Sequence, residues 1–309
     1  MVNCNILDQF GKECFKIIWR KIMKKIVAIL AALAATASVF ASGAKDKVEV
    51  EIDPALVEMV QMVPVAGGRF NMGTADGEDD EFPAHSVSVD SFNMSTTEVT
   101  QELYKRIMGK NPSYFVGEKL PVEKVSWLDA IIFCNKLSIE MGKRPCYSQN
   151  ANTDTDSWSG ANNISCNYNA NGYRLPTEAE WEFAARGGKN NDTFLYSGSA
   201  TIDEVAWYEG NSDGETHEVA TKAPNSLGLY DMSGNVWEWC WDNYSATFYV
   251  NGASANTRGP SEGTGKVLRG GSRASTYGDG SSVCRVTNRN SAAATERYYL
   301  NGFRFVNID

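Results

Sequence analysis

Clustered histidine and cysteine ligands are scarce in this sequence. The chain has only two histidines, His85 and His217, and none of its seven cysteines forms a Cys-x-x-Cys pair. Zinc and haem sites usually need such clusters, so the sequence argues against both. The two histidines are too far apart in sequence to suggest a dyad, and no Ser-His-Asp arrangement is visible. We assign neither histidine a catalytic role.

Basic residues are also in deficit. The chain carries 29 Lys and Arg against 38 Asp and Glu, a net charge of −9, and without residues 1–41 the charge falls to −13 because six basic and two acidic residues are lost. Nucleic acids and anionic lipids would be repelled by such a protein. We therefore expect no nucleic-acid partner, whereas calcium, which prefers carboxylate oxygens, is a reasonable ligand.

Only one short apolar run stands near the start, IVAILAALAATASVFA (26–41), directly after Met23-Lys24-Lys25. A basic start, an apolar stretch and small residues at Val39-x-Ala41 are typical of a signal peptide, here residues 23–41. The run is short for a retained membrane helix, so we expect no membrane span in the mature chain. No cysteine follows it that could carry a lipid anchor. We predict export to the periplasm or the cell surface.

The same segment suggests how the chain is divided. We interpret residues 1–22 as an upstream extension and Met23 as the true start. Residues 42–56, rich in Ala, Lys, Asp and Glu, are predicted to be a flexible leader, and residues 57–309 to be the folded domain.

The cysteines beyond residue 41 are Cys134, Cys146, Cys166, Cys240 and Cys284. This odd number leaves at least one thiol unpaired; we favour buried structural thiols, and one disulfide of unassigned pairing is compatible.

Capping patterns predict three helices. Thr100 precedes a helix that stops at Gly109, Ser126 with Asp129 begins a second, and Thr177 with Glu180 forms a capping box for a third. Strands are expected within 59–73 and at 85–92, and short apolar pieces between Gly, Asn, Asp and Ser dominate after residue 190. The pattern predicts one α+β domain with much irregular structure.

Several long segments of the chain are distinctive: FNMG (70–73), EVTQELYKRIMGKNPS (98–113), PVEKVSWLDAIIFCNKLS (121–138), GYRLPTEAEWEFAARGG (172–188), NSLGLYDMSGNVWEWCWD (225–242), VLRGGS (267–272) and GFRF (302–305). Together they resemble the formylglycine-generating-enzyme, or sulfatase-modifying-factor, domain. The resemblance covers nearly all of the mature chain in the family's order. It implies a variant of the C-type lectin fold, with a small twisted sheet, flanking helices and long ordered loops.

The resemblance also locates the family's catalytic cysteines. In the enzymes, two cysteines after the RGGS strand bind copper and oxidise a sulfatase cysteine. In this chain those positions fall at Ser275 and near Gly280 and Ser281. A hydroxyl supplies neither the soft copper ligand nor the redox group. We therefore expect no copper and no catalytic residue, and the oxidase is kept only as an alternative.

The C-terminal layout RGGS…CRV..RN……R…GFRF is similar to that of variable proteins of diversity-generating retroelements. In that group a reverse transcriptase rewrites adenines of a template, so an Asn codon can change to many others but not to Lys, Glu, Gln, Met or Trp codons. Between Arg273 and Asn301, only Glu296 belongs to the excluded set. This favours an exchangeable surface in that window.

We predict that eleven residues form this surface: Arg273, Tyr277, Asp279, Thr287, Asn288, Ala292, Ala293, Glu296, Tyr298, Tyr299 and Asn301. Tyr and Arg anchors among small residues resemble the composition of antibody combining sites. The alternative is a solvated loop without function.

Two other groups of residues carry an interpretation. By resemblance to the family, the carboxylates of Asp231 and Glu238 and the carbonyls of Gly234 and Val236 would hold a structural calcium ion; alternatively, Asp231 caps a turn and Glu238 pairs with an arginine. Trp237, Trp239 and Trp241 share one face of a strand, which we interpret as core packing rather than a ligand platform. The arginines of the motifs are expected to be buried against loop carbonyls and carboxylates.

The sequence thus predicts an exported, non-catalytic binding protein. Its variable C-terminal surface would contact an extracellular protein or glycan. The alternatives are an oxidase of the formylglycine-generating type and a structural or accessory domain of the cell envelope.

Overall fold

The predicted capping residues set the starts of three helices in the structure, a computed structural model that describes residues 52–251, 255–274 and 280–308. The Thr100 hydroxyl accepts the Leu103 N–H, and Ser126 and Thr177 each form a capping box with the acidic residue three positions on. These side chains satisfy N–H groups that the first helical turn leaves without partners.

The described residues contain five α-helices and eleven strands. The helices are α1 (Pro54–Met59), α2 (Gln101–Met108), α3 (Trp127–Glu140), α4 (Glu178–Ala185) and α5 (Ile202–Val205). The strands are β1 (Met62–Val65), β2 (Gly68–Met72), β3 (His85–Val89), β4 (Phe92–Ser95), β5 (Tyr147–Gln149), β6 (Ile164–Cys166), β7 (Trp237–Asn243), β8 (Lys266–Arg269), β9 (Asn290–Ala292), β10 (Asn301–Gly302) and β11 (Val306–Asn307). The α+β class is as predicted.

The N-terminal boundary of the domain differs from the prediction. Asp53 caps α1 through the Ala55 N–H, and Leu56 is buried, so residues 53–56 belong to the fold and not to a flexible leader. Leu56 joins the core because its apolar side chain packs with α2 and α3 residues. The predicted extension, the signal peptide and residues 42–51 lie outside the described residues.

Strand pairing combines consecutive strands with strands that are distant in sequence. β4 lies between β1 and β11, and a second sheet has the order β10-β7-β8-β9, with β10 parallel to β7. β1 and β2 follow each other closely, yet each pairs with a different strand, β4 and β3 respectively. The second sheet carries the C-terminal segment, because β8, β9 and β10 are three of its four strands.

The tryptophans of β7 pack into the interior. Trp239 is fully buried and Trp237 nearly so, while Trp241 is partly buried and stacks on Tyr147. The Trp239 indole donates to the Val125 carbonyl, which satisfies its polar atom inside the core. The core interpretation is confirmed. Within the described parts of the chain, no helix is long and apolar enough to span a bilayer.

Candidate ligand-binding surface

A cavity of about 630 Å³ lies beside the C-terminal sheet. Trp237 of β7 and Leu268 of β8 form part of its wall. Ser282 and Val283, which lie in a turn between β8 and β9, line it as well. Six of the predicted surface residues line it as well: Asn288, Ala292, Glu296, Tyr298, Tyr299 and Asn301. The fold therefore brings much of the predicted surface to one concave place, as ligand sites usually require.

The exposed members of the predicted surface cluster in one short stretch. Ala293, Glu296, Tyr298 and Tyr299 are exposed, and Ala292 is half-buried. The two tyrosine rings lie 4.5 Å apart, and the Tyr298 hydroxyl donates to the Tyr299 hydroxyl at 3.3 Å. Exposed aromatic side chains with few rotatable bonds are the usual anchors of protein interfaces.

Several predicted surface residues are buried instead. Thr287, Asn288, Arg273 and Asn301 are all at least 94% buried, although Asn288 and Asn301 still border the cavity. The prediction that Thr287 and Arg273 are displayed to a ligand is therefore wrong. Both residues are structural, because their polar groups lie in the interior of the domain. The Arg273 guanidinium donates to the Gly214 carbonyl and packs on aromatic rings. Tyr277 and Asp279 lie outside the described residues.

Arg269 holds the strand-to-loop connection in place. Its fully buried guanidinium donates to the carbonyls of Val286, Thr287 and Asn288 and to the Glu182 carboxylate. A planar guanidinium with five donors suits such a set of acceptors. Arg269 thus holds the segment 286–288 against the interior, whereas residues 292–299 face outward.

The RGGS turn needs its glycines. Gly270 and Gly271 have φ values of 93° and 75°, in the left-handed region, and a Cβ on Gly271 would lie 2.7 Å from the Val283 carbonyl oxygen. Only glycine allows this close approach of two backbone segments. The turn is therefore part of the fixed scaffold beneath the cavity.

Other motif arginines form buried ion pairs. Arg304 binds both oxygens of Glu238, and Arg289 binds both oxygens of Glu178, with all four side chains almost completely buried. Nearby carboxylates keep guanidinium groups charged, and the Arg289 pair lowers the pKa of Glu178 despite its burial. The expected burial of motif arginines is confirmed for these, whereas the Arg297 side chain is 54% exposed.

The oxidase positions hold no thiol. Ser275 lies outside the described residues, and Gly280 and Ser281 begin the turn that leads to Cys284. Cys284 is fully buried, and its Sγ lies 3.6 Å from the Gly280 carbonyl oxygen. None of the described cysteines is joined in a disulfide. The copper-binding cysteine pair is thus absent from the sequence positions that would carry it.

The residues predicted to hold calcium have other partners. Both Glu238 oxygens bind Arg304, and one also accepts the Trp181 indole N–H. Asp231 accepts the Ala220 N–H, as in the alternative interpretation of this residue as a turn cap. Across the described ranges, no group of three or more His, Cys, Asp or Glu side chains is arranged to hold a metal ion. The Arg304 guanidinium bound to Glu238 opposes a cation at that carboxylate. The calcium site itself stays a prediction.

Because Arg304 opposes a cation there, calcium should leave the melting temperature unchanged. We expect the same transition, within about 1 °C, after dialysis against EDTA and after addition of millimolar calcium. A ligand that binds only the folded state raises stability with its concentration. Differential scanning calorimetry measures this, with magnesium as the control ion. A rise of several degrees with calcium alone would favour the calcium prediction.

A third buried carboxylate lies in this region and was not predicted from the sequence. Glu98 is almost completely buried and accepts the Val236 N–H and the Asn235 side-chain amide. Burial, together with the charges of Asp231 and Glu238, raises the pKa of Glu98 well above its ordinary value. In the sequence, Glu98 looks like an ordinary charged residue before a helix. Its hydrogen-bond partners, Asn235 and Val236, lie just before β7 and about 140 residues away in sequence.

The family model for the sulfatase-modifying factor enzyme 1-like domain matches residues 48–308. The chain belongs to this family. The formylglycine-generating enzyme of Streptomyces coelicolor is 30% identical over 79% of this chain and 88% of its own length. The Pkn1 serine/threonine-protein kinase of Chlamydia trachomatis is 33% identical over 84% of this chain, but this chain spans only 39% of that kinase.

Solved structures support both the fold and the C-terminal resemblance. The variable protein 1 of Treponema denticola superposes with a TM-score of 0.73 at 38% identity, covering 80% of this chain and 94% of that protein. The structure of CarF superposes with a TM-score of 0.61 at 29% identity, over 81% of this chain and 99% of that one. The predicted family and the lectin-like α+β fold are confirmed.

Proposed function

We propose that this sulfatase-modifying-factor domain is an exported, non-catalytic binding protein. It presents the stretch 292–299 and the adjoining cavity to an extracellular ligand. The observation that carries the proposal is that the C-terminal segment has a buried part and an exposed part. Arg269, Thr287 and Arg273 face inward, whereas Tyr298 and Tyr299 face outward. A fixed support beneath exchangeable side chains is what a variable binding surface requires.

The similarity to a variable protein supports the same proposal. Ala292, Ala293, Tyr298 and Tyr299 are all residue types that adenine replacement in an Asn codon can produce, and all four are at least partly exposed. Substitutions at exposed positions usually change stability little, so this part of the surface can vary without unfolding the domain. Glu296 is not reachable from an Asn codon by this route and would be constant.

A library test follows from this division. Positions 292, 293, 298 and 299 are randomised on phage, and a control library randomises four buried residues: Glu182, Arg269, Arg289 and Arg304. We expect most members of the first library to fold and some to bind egg-white lysozyme, an arbitrary protein target. The control library should yield almost no folded protein. Failure of the first library to give folded binders would contradict the proposal.

The oxidase alternative is favoured only by the similarity to formylglycine-generating enzymes. We expect the purified chain to leave a Cys-x-Pro-x-Arg peptide unchanged after incubation with copper and oxygen. The reason is that thiolates are missing at Ser275 and at Gly280–Ser281. Mass spectrometry of the peptide measures the loss of the thiol, with an authentic family enzyme as the positive control. Formation of formylglycine would overturn the non-catalytic assignment.

A further inference from the structure

The loop between α2 and Pro121 bears two unusually exposed apolar side chains. Tyr114 is 68% exposed and Val116 is 80% exposed, the highest values among the large hydrophobic residues that the structure describes. Neither lies in the C-terminal window or lines the cavity. Large apolar side chains that protrude together need an explanation beyond the ordinary apolar content of a protein surface.

This loop is held rigidly by two buried polar residues. The Glu123 carboxylate accepts the N–H groups of both Tyr114 and Phe115. Gln101 donates to the Phe115 carbonyl at 2.7 Å and accepts the Gly117 N–H at 3.1 Å. Both side chains are at least 98% buried. A loop fixed before binding loses little conformational entropy when a partner contacts it.

The loop continues directly into the variable surface. The ring of Tyr114 lies 6.4 Å from that of Tyr299, which in turn lies 4.5 Å from that of Tyr298. The Arg273 guanidinium lies 4.6 Å from the Phe115 ring and 5.2 Å from the Tyr299 ring, and so joins the two segments from below. We call Tyr114, Tyr298 and Tyr299 the aromatic ridge.

Three exposed acids lie near the aromatic ridge, and the neighbouring Arg297 is bound to Asp129. The Arg273 guanidinium binds the Gly214 carbonyl, which places the turn with exposed Asp213 and Glu215 beside it. Glu296, on the cavity side, is exposed as well. The Arg273 residue is 97% buried, and its guanidinium is engaged with the Gly214 carbonyl and the aromatic rings. A partner that approaches here meets apolar rings beside these exposed acids.

We infer that Tyr114 and Val116 form a constant part of the ligand-binding surface. The partner they fit is a protein with an apolar side chain beside Lys or Arg. This inference rests on the proposed function. An aliphatic valine at the tip of a protruding loop suits the dry centre of a protein interface better than a hydroxyl-rich glycan. The variable residues would determine which protein is bound, and the loop would contribute to the affinity for every protein bound.

Lysozyme and α-lactalbumin provide matched probes, because they share a fold but are basic and acidic respectively. Binders to each are selected from the library at positions 292, 293, 298 and 299, in which Glu296 is kept. We expect many more lysozyme clones than α-lactalbumin clones. In five lysozyme clones of unrelated sequence, Tyr114→Ala and Val116→Ala should each weaken affinity by about tenfold or more, measured by surface plasmon resonance.

Val250→Ala is the matched control, because Val250 is 67% exposed and lies outside the aromatic ridge and the cavity. It should leave affinity within about twofold, and the melting temperatures of all three variants should stay near that of the parent. Binders that tolerate Tyr114→Ala and Val116→Ala would overturn this inference but leave the proposed function intact. Equal numbers of clones against the two probes would overturn the basic-partner assignment, and a library without binders would overturn both proposals.

Discussion

Replacing Arg269 with Met lowers the free energy of unfolding by about 3–5 kcal/mol, the usual cost of removing one partner from a buried ion pair. The substitution keeps an apolar stem of similar length but leaves the carbonyls of residues 286–288 without their donor. Among the described residues, it also leaves the buried Glu182 carboxylate with Arg186 as its one cationic partner. Chemical denaturation followed by tryptophan fluorescence measures the loss.

Arg106→Met is the control for this prediction. Arg106 pairs with Asp53 at 3.0 Å, but both side chains are more than 40% exposed, and exposed ion pairs contribute little. We expect its unfolding midpoint to stay close to that of the wild type. If Arg269→Met unfolded at the same denaturant concentration as Arg106→Met, the claim that Arg269 supports the C-terminal segment would be wrong.

Replacing both Tyr298 and Tyr299 with Ala weakens binding of the native ligand by about 100-fold or more, while the melting temperature changes by only about 2 °C. Tyr298 and Tyr299 are 42% and 40% exposed, so a substantial part of each side chain is available to a partner. Loss of two central aromatic anchors commonly costs several kcal/mol of binding free energy. Their hydroxyls bond to each other and not to the core, which limits the effect on folding.

The native ligand can be trapped with a photo-crosslinking phenylalanine analogue at position 293 and identified by mass spectrometry. Isothermal titration calorimetry with the purified ligand then compares the variants. Phe194→Ala combined with Leu195→Ala is the matched control, since these neighbours are 45% and 50% exposed and do not line the cavity. Equal affinity of the tyrosine double variant and this control would exclude 298–299 as the binding surface.

Local features of the fold followed from the sequence, because their causes are local. The caps of α2, α3 and α4 each depend on residues three positions apart, and all three helices begin where the sequence predicted. Pairing between distant strands was not foreseeable in this way. β1 and β2 are separated by only two residues, but each finds its partner elsewhere, because pairing is decided by the packing of the whole sheet.

The candidate surface was predictable in outline only. Composition indicated the window, but Thr287 and Tyr298 are equally suitable residue types for display, and only the fold buries the first and exposes the second. The contribution of Tyr114 was missed because its neighbour Tyr299 is 185 positions away in sequence. The buried Glu98 was missed for the same reason, since its partners Asn235 and Val236 lie in a distant segment.

The central claim is that a fixed scaffold supports an exchangeable C-terminal surface. The most direct measurement is the sequence of the DNA that flanks this gene. We predict a reverse-transcriptase gene and a near-copy of codons 267–305 that differs mainly at adenines, with differences at codons 292, 293, 298 and 299 and none at codon 269. Absence of such a copy, or differences spread evenly over all four bases and over the buried arginine codons, would contradict the claim.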